Sequence, residues 1–263
     1  MPNSGPVILK LGGSVITDKK RALVARPKAI DRISAEISSF EDGLVIIHGA
    51  GSFGHPIVKK YGIGSGHQDF RRIGVSETKL ALLVLNSLVI RSLKSHRVPV
   101  VPFMPSSFMT AEEGRLTSMG IEPLKRLLET GYVPVFHGDL IADSAWGVSV
   151  VSGDQMAVQL AKELNARLVM FGCDVDGVFT SDPRSDRDAT LVPKIKFSEL
   201  GNWIGRVGGS TATDVTGGMR GKLLESAKLA DEQTTIVIYN LTKRGNLNKL
   251  LKGEEINLSL IHI

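Results

Sequence analysis

Val7-Ile-Leu-Lys10-Leu11-Gly12-Gly13-Ser14 is five residues of strand length and apolar character running straight into paired glycines. The pattern returns at Leu44-Val-Ile-Ile-His48-Gly49-Ala50-Gly51-Ser52, and further strand-length runs occupy 98–101, 132–137, 168–172 and 234–239. Most are continuous rather than alternating, which marks strands buried on both faces. Between them, 28–40, 75–95, 122–130, 154–164 and 217–230 carry helical spacing. Strand and helix in alternation predict an α/β fold, a three-layer αβα sandwich around a largely parallel central sheet. No repeat, linker or low-complexity tract divides the chain, so 1–263 reads as a single domain. The charged, glycine-rich stretch 182–209 reads as an irregular excursion or hairpin. Ligands of such sheets bind beyond the carboxyl ends of the strands, where these glycines concentrate.

Composition narrows the function. The chain has 263 residues, 32 Lys+Arg against 27 Asp+Glu, and a net charge of +5. That mild excess favours anionic small ligands, and no aromatic-plus-basic platform for nucleic acid is visible. The single cysteine, Cys173, excludes an internal disulfide and fits a reducing compartment. The apolar stretch 80–90 is interrupted by Asn86 and Ser87 and is too short to span a bilayer; the first residues carry no secretory signal. A cytoplasmic protein that handles small molecules, without a membrane or nucleic-acid partner, is expected.

Three loops carry the chemistry. Gly12 and Gly13 let backbone N–H groups approach an anion, and Lys10 at the end of a buried strand calls for an anionic partner. A plain tight turn is the bland alternative. Thr17-Asp18-Lys19-Lys20 by itself is a solvated charge run. Gly49, Gly51 and Gly54 spell GxGxxG, but no ribose-binding acid follows a short second strand, so a dinucleotide site is rejected. Pro56 suits the first turn of a helix, which predicts that the helix starts near His55 and that His55 meets an anion at its N-terminus. A structural histidine is the alternative. Asp214-Val-Thr-Gly217-Gly218-Met-Arg-Gly221-Lys222 is one residue short of a Walker A loop, and Leu223 replaces its Mg²⁺-binding hydroxyl residue. Two glycine–lysine loops at opposite ends of the chain suggest an anion held between them, as phosphoryl transfer needs.

Cys173-Asp174-Val-Asp176-Gly177-Val-Phe-Thr180-Ser-Asp182-Pro183-Arg184, with Lys10-Leu-Gly-Gly-Ser14, Val151-Ser-Gly153-Asp154 and Thr216-Gly-Gly-Met-x-x-Lys222, resembles the amino-acid kinase superfamily across 7–253. Cys173 stands where a familiar form of the motif has threonine, a small-for-small change, and is not read as a nucleophile. Within the superfamily, His48-Gly-Ala-Gly-Ser-Phe-Gly-His55-Pro56, Asp18-Lys19, Val133-Pro-Val-Phe-His137-Gly138-Asp139 and Gln155 are similar to isopentenyl phosphate kinases. The resemblance implies ATP-dependent phosphorylation of isopentenyl phosphate to isopentenyl diphosphate in an archaeal-type mevalonate pathway. It implies a homodimer, with acceptor on the N-terminal half and nucleotide on the C-terminal half.

Carried over by residue, the resemblance puts Lys10, Leu11, Gly12, Gly13 and Ser14 at the ATP phosphates. Gly51, Asp174, Gly217 and Lys222 serve the nucleotide, and Ala50, His55 and Gly153 bind the acceptor. Lys10, Lys19, His55 and Lys222 form the catalytic set; the roles of Lys19 and Ala50 rest on resemblance alone. The set is cationic and has no carboxylate base. That suits a phosphate monoester acceptor, whose second pKa is about 6 and which arrives already ionised. Mg²⁺ with ATP is expected, and no residue is assigned to hold it. The apolar residues Leu80, Leu83, Val84 and Leu88 line the acceptor's five-carbon tail or are simply core. Fosfomycin or another phosphate or phosphonate is the alternative acceptor, and a non-catalytic nucleotide-binding protein the alternative class.

Overall fold

β1 (Val7–Leu11) is buried along its whole length and leads through the single turn α1 (Gly13–Ile16) and α2 (Pro27–Ile37) to β2 (Leu44–His48). The two strands pair in parallel, with Lys10 opposite Ile47. The computed structural model describes residues 5–40, 43–64, 72–206, 217–229 and 234–262. After β2 come α3 (Gly51–Tyr61), α4 (Arg72–Ser95) and β3 (Val100–Pro102), then the hairpin of β4 (Met109–Glu112) and β5 (Arg115–Met119). α5 (Glu122–Glu129) and β6 (Val133–His137) return to the main sheet, and β7 (Asp139–Asp143) and β8 (Gly147–Val151) make a second hairpin. α6 (Gly153–Glu163), β9 (Leu168–Cys173), β10 (Lys194–Lys196) and α7 (Leu200–Arg206) follow. α8 (Gly218–Ser226), β11 (Thr235–Asn240), α9 (Asn246–Leu251) and β12 (Leu258–His262) complete the described elements.

The main sheet has the order β10-β12-β11-β9-β1-β2-β6-β3. All of its pairings are parallel except β11 with β12. Successive strand residues face opposite layers, and both layers are apolar. Ile8, Ile47, Phe136 and Phe171 pack with Met156 and Leu160 of α6. Leu9, Ile46, Val135 and Met170 pack with Ile33 of α2 and with Leu85 and Val89 of α4. This is the expected sandwich, and the expected runs fall within two residues of the observed strands. β3 starts later than its apolar run, beyond Pro99, which has no N–H to give a ladder.

Three features differ from the sequence expectation. A second, four-stranded sheet, β5-β4-β7-β8, was not anticipated. Its strands are half-polar: Met109 and Ala111 are buried while Thr110 and Glu112 are exposed. The excursion 182–209 is irregular only at first. An antiparallel bridge, Phe179 to Leu191, closes it, and β10 and α7 follow; 207–209, like Asp214, Thr216 and Ala230, lie outside the described residues. The stretch 80–90, read as too short to span a bilayer, belongs to a 24-residue helix long and apolar enough to cross one by length and composition. In this fold Leu82, Leu85, Val89 and Leu93 of that helix are buried in the protein interior.

Candidate active site

The carboxyl ends of β1, β2 and β9 lie side by side, and their loops line a cleft of about 390 Å³, within the usual size of a ligand site. It gathers Lys10, Gly12, Gly13, Ser14 and Lys19 from the first loop, and Ala50, Gly51 and His55 from the second. Gly153, Asp174 and Lys222 complete the predicted residues it brings together. Two do not line it. The Leu11 side chain is buried in the core, because it ends a strand packed on both faces, and Gly217 caps α8 with a φ of 86° while Gly218 and Met219 face the cleft.

The glycines serve a purpose the sequence reading had not given them. A Cβ on Gly13 would stand 2.6 Å from the Gly51 nitrogen, and one on Gly49 2.7 Å from the Gly13 nitrogen. The two loops thus pack backbone against backbone. Thr17 fastens them: its hydroxyl donates to the Gly13 carbonyl and accepts the Ser52 N–H at 3.0 Å. Gly12 touches the cleft, yet its N–H already donates to the Gly172 carbonyl at 2.9 Å.

At the polar end, Lys10 and Lys222 converge on Asp154. Lys10 Nζ stands 2.8 Å from Oδ1 and Lys222 Nζ 2.9 Å from Oδ2. The anionic partner that Lys10 demanded is therefore a protein carboxylate. Ser152 caps α6 by accepting the Gln155 N–H, which sets Asp154 in the first turn. Burial works to raise the Asp154 carboxyl, but the two lysines hold it well below the usual range. Burial lowers the Lys10 ammonium, and Asp154 opposes that shift. Asp154 was not assigned a role; the Ser-x-x-Gln cap signature with an acid inside it was the available signal.

A second carboxylate repeats the arrangement. Asp174 Oδ2 accepts from Lys19 Nζ and from Arg184 Nη2, each at 2.9 Å. Each trio of one carboxylate and two cations carries a net charge of +1. Burial raises the Cys173 thiol, so it stays protonated, consistent with a small core residue rather than a nucleophile. Among the described residues no group of three or more His, Cys, Asp or Glu side chains is placed to hold a metal ion, and the Asp154 and Asp174 carboxylates already accept from cations.

His55 lines the cleft and is half-buried, but α3 begins at Gly51, so His55 is its fifth residue and not its N-terminus. Pro56 is tolerated inside the helix because the carbonyl it leaves without an intrahelical donor, Ser52 O, accepts the Leu23 N–H at 3.0 Å. Past His55 the cleft turns apolar, walled by Val58, Leu82, Leu140 and Val150. Leu80, Leu83, Val84 and Leu88 are neither tail pocket nor core: they are exposed on the outer side of α4. Leu82 and Thr78 are the residues of α4 that reach the cleft. The apolar wall from β7 and β8 was invisible without the second sheet.

The amino acid kinase family model matches residues 5–240. An isopentenyl phosphate kinase of Methanothermobacter thermautotrophicus is 39% identical over 95% of this chain and 96% of its own length. One from Methanocaldococcus jannaschii is 32% identical over 94% and 95%. A solved isopentenyl phosphate kinase structure superposes with a TM-score of 0.85 at 37% identity, covering 97% of this chain and 99% of its own. A uridylate kinase of Rhodococcus jostii is 27% identical over 95% and 92%.

Proposed function

The chain belongs to the amino acid kinase family and, within it, to the isopentenyl phosphate kinases, and from that premise we propose how it works: it transfers the γ-phosphoryl group of ATP to isopentenyl phosphate, releasing isopentenyl diphosphate and ADP. The carrying observation is the two-ended cleft, with two cationic trios at one end and an apolar wall at the other. A phosphate with a short hydrocarbon tail matches both ends.

The acceptor needs no general base, since its phosphate is largely dianionic at neutral pH. The obstacle is repulsion between two polyanions brought in line, which fixed cations and N–H donors relieve. Lys10 and Lys222 meet the charge that develops on the transferring group, and Asp154 keeps both ammonium groups aimed at one point. Lys19 moves from Asp174 toward the phosphates as they arrive. Gly13 and Ser14, with Gly51 and Asp174, serve the nucleotide, while Gly217 shapes the start of α8 that presents Lys222. His55, Ala50 and Gly153 hold the acceptor phosphate where the polar and apolar ends meet. Mg²⁺ would enter with the nucleotide and add positive charge at its phosphates, beside the Lys10 and Lys222 ammonium groups.

A cytoplasmic enzyme of an archaeal-type mevalonate route is the reading that the archaeal isopentenyl phosphate kinase relatives support. The working unit is a homodimer formed through the exposed side of α4. The test is a panel of acceptors from C4 to C10 phosphates, with fosfomycin, incubated with radiolabelled ATP. Isopentenyl phosphate should give the highest kcat/KM; preference for fosfomycin would move the assignment to phosphonates, and no transfer to any acceptor would leave a nucleotide-binding protein.

A further inference from the structure

The turn between β4 and β5 grips both helices that supply the Asp154 trio. Arg115 makes a two-pronged bond to Glu225 of α8, Nη1 to Oε1 at 2.7 Å and Nη2 to Oε2 at 2.8 Å. Lys228 Nζ adds a third contact at Oε2, 2.8 Å. On α6, Gln155 faces the same turn: its Oε1 accepts the Leu116 N–H at 2.6 Å and its Nε2 donates to the Gly114 carbonyl at 3.2 Å. Gln155 and Glu225 are both buried. Each neighbours a member of the trio, since Gln155 follows Asp154 and Glu225 lies one helical turn beyond Lys222.

The turn is itself held firmly. Glu113 and Gly114 adopt positive φ, 47° and 76°, and form a tight two-residue hairpin loop. Their N–H groups donate to the Asp143 carboxylate at 3.2 and 2.8 Å, and Ala145 and Trp146 donate to the same side chain. α8, by contrast, is weak on its own. It has nine residues, enters through Gly217 and Gly218 at positive φ, and carries a further glycine at 221. Short, glycine-rich helices depend on outside contacts for their position. A forked guanidinium–carboxylate bond fixes rotation as well as distance, which a single point contact cannot do.

We propose that Arg115 is a positioning residue for Lys222: through Glu225 it clips α8 to the rigid β4–β5 turn, so that the Lys222 ammonium stays on Asp154 at the site of transfer. This rests on the reading of Lys222 as a cation for the transferring phosphate. The second sheet, which walls the acceptor tail, thereby also sets a lysine on the nucleotide side.

Arg115→Met keeps the apolar stem and removes the fork. It should lower kcat at least tenfold while KM for isopentenyl phosphate stays within twofold, and Arg115→Lys should fall between. In a Lys222→Met background the same Arg115→Met change should alter kcat less than twofold, because the lysine it positions is gone. A readout free of turnover is amine-reactive labelling of Lys222 without substrate, quantified by mass spectrometry; it should rise at least fivefold in Arg115→Met. Equal kcat losses in both backgrounds, or unchanged labelling, overturn the positioning role and leave the ion pair as a fold contact. If the wild-type chain makes no diphosphate, the functional reading fails, and the labelling still decides whether Arg115 holds Lys222.

Discussion

Asp154 shows what a residue list read from sequence leaves out. Lys10, Lys222 and the glycine loops were legible because lysine beside glycine after a buried strand has few uses. The carboxylate between the lysines was not, since a sequence cannot show that two lysines 212 positions apart share one acid. Removing that acid leaves two buried ammonium groups together, whereas removing one lysine leaves a pair. Asp154→Asn should therefore cost about 3–5 kcal/mol of stability, and Lys222→Met clearly less, in urea unfolding. Equal losses would mean that Asp154 does not organise the lysines. His48 makes a second case. Its ring, buried and bonded through Nε2 to Asn86 Oδ1 at 3.1 Å, is lowered to about 3, first by burial and then by the neighbouring His137. The unfolded ring takes a proton near pH 6.5, so between about 6.5 and 3 the unfolded state binds more protons and stability is lost as the pH drops. From His48 alone the loss between pH 7 and pH 5 should be about 2 kcal/mol. His48→Gln, which retains an amide able to face Asn86, should shrink the measured difference by that amount; an unaltered pH dependence would show that His48 titrates normally.

Elements were legible in proportion to how fully they are buried. The continuous apolar runs of β1, β2, β6, β9 and β11 gave strands in nearly their observed places, because a strand covered on both faces leaves no room for polar alternation. β4, β5 and β8 are partly exposed and mix polar with apolar residues, and β7, though mostly buried, begins and ends on aspartate, so their signal is weak, and with them went the apolar wall of the cleft. The start of α3 was misplaced because Pro56 is normally a first-turn residue; the Leu23 N–H that satisfies Ser52 comes from a distant loop. On α4 the helix was found but its facing was not. Leu82, 1% exposed, reaches the cleft, while Leu83 and Val84, 41% and 55% exposed, point away. Leu82→Ala should therefore raise the ratio of kcat/KM for a C10 over a C5 phosphate at least tenfold, and Leu83→Ala and Val84→Ala should leave it within twofold. A constant ratio in all three would remove α4 from the tail pocket.

At the scale of the whole molecule, the exposed side of α4 is the surface on which the proposed homodimer is tested. Ile73, Leu80, Leu83, Val84 and Leu88 are all exposed along this one helix, and grouped exposed apolar side chains mark interaction surfaces. A second copy of this chain suits it by symmetry. If two α4 helices pack antiparallel about Val84, Leu80 meets Leu88 of the partner subunit, and Arg91 comes opposite Glu77, whose carboxylate also accepts from Tyr61 and pairs with Lys60 of its own α3. Such self-complementarity is what a two-fold interface requires. At roughly 1 kcal/mol per side chain, five from each copy supply about 10 kcal/mol, against an association cost of about 4–15 kcal/mol. The balance is close enough for one charge at the axis to decide it. Val84→Glu sets two carboxylates against each other at the centre and should give a monomer by sedimentation, while wild type sediments as a dimer at micromolar concentration. Arg91→Glu, which turns the flanking attraction into repulsion, should weaken the dimer at least tenfold. Tyr132→Ser, an exposed position off this helix, should change nothing. A Val84→Glu chain that still dimerises would place the interface elsewhere, and a monomeric wild type would end the assignment of this face to a second copy.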